Sequence, residues 1–261
     1  MIDFLYGFSN ISLLFLLFFI SVLFSLFMHV ILKRIPLFKF KNNELASLSA
    51  VAQTVGIVYA LLSGFTIAYV MNNFDKADSV VGDEATVITN IYRDAQLLPS
   101  ATGEIIQAQA KEYTKAVLQE EWPSLIQGEI NSTSTDSIIN QLTHTTYVLQ
   151  ANSTSPREGE VEAELLKKCD TLYSIHQERL SLASSALNID IWSVLIITTF
   201  IIIIINLLFP MGHGLSLISI VSVSFIVATL LFLILALDRP FRGEYSVKPT
   251  AFETALSRMR P

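Results

Sequence analysis

The chain has one cysteine, Cys169, so neither an internal disulfide nor a cysteine-cluster metal site can form. Its four histidines, His29, His144, His176 and His213, show no His-x-x-x-His or Glu-x-x-His spacing, which leaves metal binding unsupported. No Gly-rich phosphate loop and no Gly-x-Ser-x-Gly turn occur, and no segment alternates like a strand. Charged residues are only 15% of the chain. Together these absences argue against an enzyme and leave no cofactor, metal or nucleic-acid partner to expect.

What the chain has in excess is apolar length. Ile11–Leu32 and Leu45–Met71 carry no formal charge, and Ile189–Phe209 and Leu215–Leu237 carry only Asp190, at one edge. At about 1.5 Å per helical residue, each run covers the ~30 Å hydrocarbon core of a bilayer. A mean hydropathy of +0.53 agrees with this. The first run is too long for a signal peptide, has no basic residue before it and is followed by Lys33 and Arg34, so it is expected to be retained. The chain is thus all-α, with four transmembrane helices and a helical-bundle domain inserted between the second and third. The expected boundaries are 1–71 for the first helix pair, 72–188 for the domain, 189–237 for the second pair and 238–261 for a tail.

Helical periodicity fills the middle. Ala77, Val81, Ile88, Ile91, Ala95 and Leu98 form one apolar stripe, and Ile106, Ala110, Tyr113 and Val117 form the next. Pro99 and the Ser100–Gly103 stretch separate the two helices, and the second is expected to end near Trp122 and Pro123. A shorter helix contains Ile138, Leu142 and Tyr147. Ser155-Pro156-Arg157-Glu158 then reads as an N-cap, a Pro at the first helical position and a capping-box Glu. Behind it, Val161, Leu165, Cys169, Leu172, His176, Leu180, Ala183 and Leu187 make a seam expected to run on into the third membrane segment. Cys169 and His176 lie on that seam as packed core residues, with a thiolate–imidazole pair as the sharper alternative.

Orientation is not decided by charge. Lys33, Arg34, Lys39 and Lys41 favour a cytoplasmic first loop, while Arg239, Arg242, Lys248, Arg258 and Arg260 favour a cytoplasmic tail on the opposite side.

The second membrane segment differs from the other three. Gly56, Ala60, Gly64 and Ala68 recur every four residues, a face that permits close helix approach. Tight packing is one account. The other is a pore lined by several copies, with candidates Gln53, Ile57, Ala60, Leu61, Gly64, Phe65 and Ala68; Thr54, Ser63 and Thr66 would add polar positions, and Ile57, Leu61 or Phe65 a dry constriction. At the membrane edge, Asp238, Arg239, Arg242 and Glu244 mix both signs in a short stretch. They are either locally paired, snorkelling residues or a docking turn whose arginines meet Asp75, Asp78 or Glu84. Asp75, Glu84, Arg93, Asp238, Arg239 and Arg242 are the candidates for structural coupling.

Three stretches carry a resemblance: Glu84-Ala85 with Tyr92-Arg93 and Leu97-Leu98-Pro99; Glu178-Arg179-Leu180 ahead of Trp192; and Asp238-Arg239-Pro240-Phe241-Arg242-Gly243-Glu244. Over roughly residues 45–250 the chain resembles a bacterial membrane-protein family of unassigned activity described as bestrophin-like. More distantly it is similar to bestrophin ion channels, through Gly64-Phe65 followed by Asn72-Asn73-Phe74-Asp75. Phe74 stands where a bestrophin carries tyrosine, so the aromatic neck is not carried over. The resemblance implies an oligomeric channel, pentameric in the family, in a bacterial inner membrane. It also implies a cytoplasmic domain and termini, with the lipid bilayer, inorganic ions and further copies of the chain as partners. Residues 72–188 hold 17 acidic and 8 basic side chains, a net −9, which suggests a weak cation preference. A non-conducting sensor or scaffold that signals through the helical domain is the alternative.

Overall fold

The computed structural model describes residues 3–34, 44–151, 156–210 and 212–259. Lys39, Lys41, Ser155 and Arg260 lie outside them. The described residues are helical, with no strand. They divide into two compact units: residues 1–72, 186–238 and 243–245 form the first, and residues 73–185, 239–242 and 246–261 the second.

In the first unit, α1 (Asn10–Arg34) packs along α8 (His213–Asp238) and α7 (Ile189–Leu207). Among the described residues, four helices are long and apolar enough to cross a membrane. Their outward faces are apolar, as lipid requires: Phe15, Phe19, Leu23 and Phe27 on α1 are all exposed, at helical spacing. Small hydroxyls sit between helices instead. Ser25 and Ser224 share a buried hydrogen bond of 3.1 Å, and the Thr199 hydroxyl lies 3.4 Å from that of Tyr59.

α2 runs unbroken over 50 residues, Leu45–Asp94. About 20 residues suffice to cross hydrocarbon, so a comparable length continues beyond the apolar segment. Its later part carries Ala77, Val81, Ile88 and Ile91, all buried in the core of the second unit. A 3-10 turn, Ala95–Leu97, and an extended Leu98 then end the helical run. Pro99 precedes α3 (Ser100–Ala116), as the sequence predicts.

The end of that second helix differs from expectation. Val117–Glu121 winds as a π-turn and leads straight into α4 (Trp122–Gln127). Pro123 does not stop it, since the helix winds on through the π-turn into α4, whose second residue is Pro123. The stop is Gly128, at φ +83°, whose N–H donates to Leu125 while Glu129 N–H donates to Ser124. Here a glycine is required twice over: a Cβ would also lie 2.7 Å from the Arg242 guanidinium carbon.

α5 (Thr133–Ala151) and α6 (Pro156–Ser184) complete the bundle, and α9 (Thr250–Arg258) packs against α3 and the π-turn. The α6 seam holds, with Leu165, Cys169, Leu172 and His176 fully buried. It does not run unbroken into α7. Residues 185–188 are non-helical, and Asn188 restarts the helix by accepting the Asp190 N–H on its side chain at 3.1 Å.

Candidate functional site

Two arrangements stand out, one in each unit. The first is the exposed side of α2 in its membrane half. Tyr59, Ser63, Thr66 and Val70 turn inward and are buried. The Ser63 and Thr66 hydroxyls donate to the carbonyls of Tyr59 and Leu62 one turn back. These two, expected as polar pore positions, face their own chain. Thr54 is exposed and its hydroxyl donates to the Ala50 carbonyl. Gln53, Ile57, Ala60, Leu61, Gly64, Phe65 and Ala68 all lie on the exposed side. Phe65 is 73% exposed, and a Cβ built on Gly56 or Gly64 would meet nothing within 4 Å.

The second is a buried ionic cluster in the helical unit. Arg179 on α6 forks onto Glu84 of α2, with Nε to Oε2 at 2.6 Å and Nη2 to Oε1 at 3.0 Å. Its Nη2 also lies 2.5 Å from Glu121 Oε1, at the end of the π-turn. Arg179, Glu84, Glu121 and His176 are all at 0% exposure. The Tyr113 hydroxyl on α3 donates to Glu84, and the Thr135 hydroxyl on α5 donates to Glu121. The His176 ring places Nδ1 3.4 Å from Glu84 Oε1 and Nε2 3.4 Å from Asp136 Oδ1. The rings of Trp122 and Phe252 lie 5.9 and 5.7 Å from the guanidinium carbon, within cation–π range.

Electrostatics make this a clamp. Burial alone would push the Glu84 carboxyl up, but the Arg179 charge and the hydrogen bonds outweigh it and hold it at about 2. Burial would lower Arg179, yet Glu84 and Glu121 raise it. Tyr113 is pushed well above the usual phenol range by burial and then by the Glu84 charge. Burial likewise lifts the Cys169 thiol to about 11, so it is a neutral core group and not a nucleophile. His176 and Cys169 serve separate neighbours, since Cys169 lies 3.9 Å from the Thr146 hydroxyl.

The docking-turn alternative offered Glu84 to a tail arginine, and the guanidinium that forks onto it is that of Arg179. Arg93 pairs with the adjacent Asp94 at 3.0 Å, and Asp75 is exposed. Arg239 is half-buried, and Arg242 lies against Gly128. Within the first unit, Asp238 is buried at the end of α8. It accepts the Leu187 N–H at 2.6 Å and faces the Trp192 indole N–H at 3.4 Å, tying α8 to the start of α7. Glu244 accepts the Asn10 N–H at 2.7 Å, at the start of α1. Phe241, in the second unit, meets Trp122 edge-to-face at 5.6 Å.

The fold has solved relatives. Two structures of a bacterial bestrophin homologue from Klebsiella pneumoniae, each with one substitution, superpose with TM-scores of 0.71 and 0.70 at 16% identity. They cover 97% and 93% of this chain and 97% of each relative. A third structure, described only as a membrane protein, gives a TM-score of 0.72 at 16% identity over 94% of this chain and 96% of the other. No match is found among curated proteins. The bestrophin-like domain model matches residues 14–252. With that span, and with four membrane-length helices, the chain belongs to the bestrophin-like family.

Proposed function

We propose that the chain assembles into an oligomeric ion channel, pentameric as in bestrophins, with α2 lining the pore. The observation that carries this reading is the composition of the exposed side of α2. Lipid accepts leucine, isoleucine and phenylalanine everywhere and places no premium on small residues. Yet Ala60, Gly64 and Ala68 stand exposed there, between Ile57, Leu61 and Phe65. Small residues alternating with large apolar ones suit a helix that other copies approach closely and that narrows a water path by dewetting. The net −9 of residues 72–188 would concentrate cations near such a path.

The test is current across a planar bilayer containing the purified protein under an asymmetric salt gradient. Discrete, protein-dependent openings that reverse towards the cation equilibrium potential are expected. Reversal near the chloride potential would remove the cation preference. Silence across voltages and divalent-ion conditions would put a non-conducting sensor or scaffold first.

The same reading sets the helical domain and both termini in the cytoplasm of a bacterium, with the bilayer being the inner membrane. Ser134 is exposed on α5, and the only native thiol, Cys169, is buried. Ser134→Cys should therefore react with a membrane-impermeant maleimide in inside-out vesicles and stay unlabelled in intact spheroplasts. The reverse pattern would put the domain outside.

A further inference from the structure

α2 carries no formal charge from Leu45 to Phe74, and Asp75 is its first. Successive residues of a helix turn by about 100°, so sequence position along α2 gives direction around its axis. Ile57, Gly64, Met71 and Asp75 all fall within about 20° of one line, and all four are exposed. Asp75 stands about 16 Å beyond Gly64 along that line. Its carboxylate is not engaged elsewhere: among the described residues nothing pairs with it. The base beside it, Lys76, reaches Glu178 of α6 at 2.6 Å. Asp78, one turn further on, lines a groove that it shares with Arg93, Lys248 and Arg258. Arg93 returns to the line of Asp75, but about 27 Å further along, and it pairs with Asp94.

We infer that Asp75 is the charge-selecting residue of the conduction path, one carboxylate from each copy closing into a ring at the end of the apolar stretch. The inference rests on the channel reading above and names the residue behind its cation preference. Residues 72–188 hold 17 acidic and 8 basic side chains, but at physiological ionic strength exposed charges are screened beyond about 8 Å. Acids scattered over the domain surface therefore act mainly on the surrounding solvent. A ring on the path itself lies within the screening length of every passing ion, and rings of Asp or Glu favour cations.

Reversal potentials of the full chain in planar bilayers, under a potassium chloride gradient, test the ring. Asp75→Asn should lose most of the cation preference, Asp75→Glu should keep it, and Asp83→Asn should leave it unchanged. Asp83 is exposed too and its replacement removes the same charge, but it lies about 80° round the helix from Asp75. Asp75→Cys reads the effect within one folded channel, since the native Cys169 is buried. A methanethiosulfonate carrying a sulfonate should move its reversal towards the potassium potential, and one carrying a trimethylammonium towards the chloride potential. Equal shifts from Asp75→Asn and Asp83→Asn would overturn the ring and leave the channel standing. So would a Cys variant whose labels, verified by intact mass, leave reversal unmoved. A wild type that passes no current would overturn the channel reading and the ring with it.

Discussion

Replacing Arg179 with methionine is expected to destabilise the helical domain by about 3–5 kcal/mol, the usual cost of stripping one partner from a buried ion pair. Glu84 and Glu121 would be left fully buried with their shared guanidinium gone. Methionine keeps the unbranched apolar stem and lacks the guanidinium, so what is removed is chiefly the charged fork. Arg179→Lys should recover only part of it, since a point charge cannot fork onto Glu84 while reaching Glu121. Thermal unfolding by circular dichroism should show the Tm of the methionine variant lower by roughly 10 °C. A Tm within a degree or two of wild type would mean that the cluster is not the clamp described. Glu84 adds a pH signature. Its carboxyl sits at about 2 in the fold, against about 4.3 for a free glutamate. Its contribution is therefore complete above about pH 4.3 and lost as pH falls towards 2. Glu84→Gln should remove that share of the acid limb.

The second large effect is on conduction. Gly64→Leu should abolish the bilayer current while leaving a folded chain. Within one chain the added side chain meets open space, since nothing lies within 4 Å of a Cβ there. Any effect therefore arises between copies or in the water path. Thr198→Leu on α7 is the matched control, as its hydroxyl only returns to the Val194 and Leu195 carbonyls. It should leave current near wild type. Equal effects at both positions would remove the special role of α2.

Much of the fold was legible because its signals are long. Hydrophobic runs located α1, α7 and α8 to within a few residues and the start of α2, and helical stripes identified the buried faces of α2, α3 and α6. The ionic cluster was less visible, though it left a trace. The α2 stripe steps from Val81 to Ile88, and the missing intermediate position is Glu84. The α3 stripe ends at Val117, and one further turn reaches Glu121. Arg179 lies three residues after His176 on the α6 seam. Charged residues at the spacing of a buried face point to partners inside, but periodicity cannot say which charge meets which. The break before α7 was missed for a different reason. Apolar spacing carries across it without interruption, and only the capping pair Asn188 and Asp190 marks it.

The π-turn at Val117–Glu121 has a consequence for how Arg179 is held. In a regular α-helix adjacent residues diverge by about 100° around the axis, so neighbours seldom share one face. The wider turn swings less per residue. Glu121 and Trp122, consecutive in the chain, are both buried, one as a counter-ion and the other as an aromatic plate for the same guanidinium. One surplus residue thus lets a short piece of backbone grip a cation through charge and through polarisable surface at once. Deleting a residue there would restore regular winding and force the chain to give up one of the two holds.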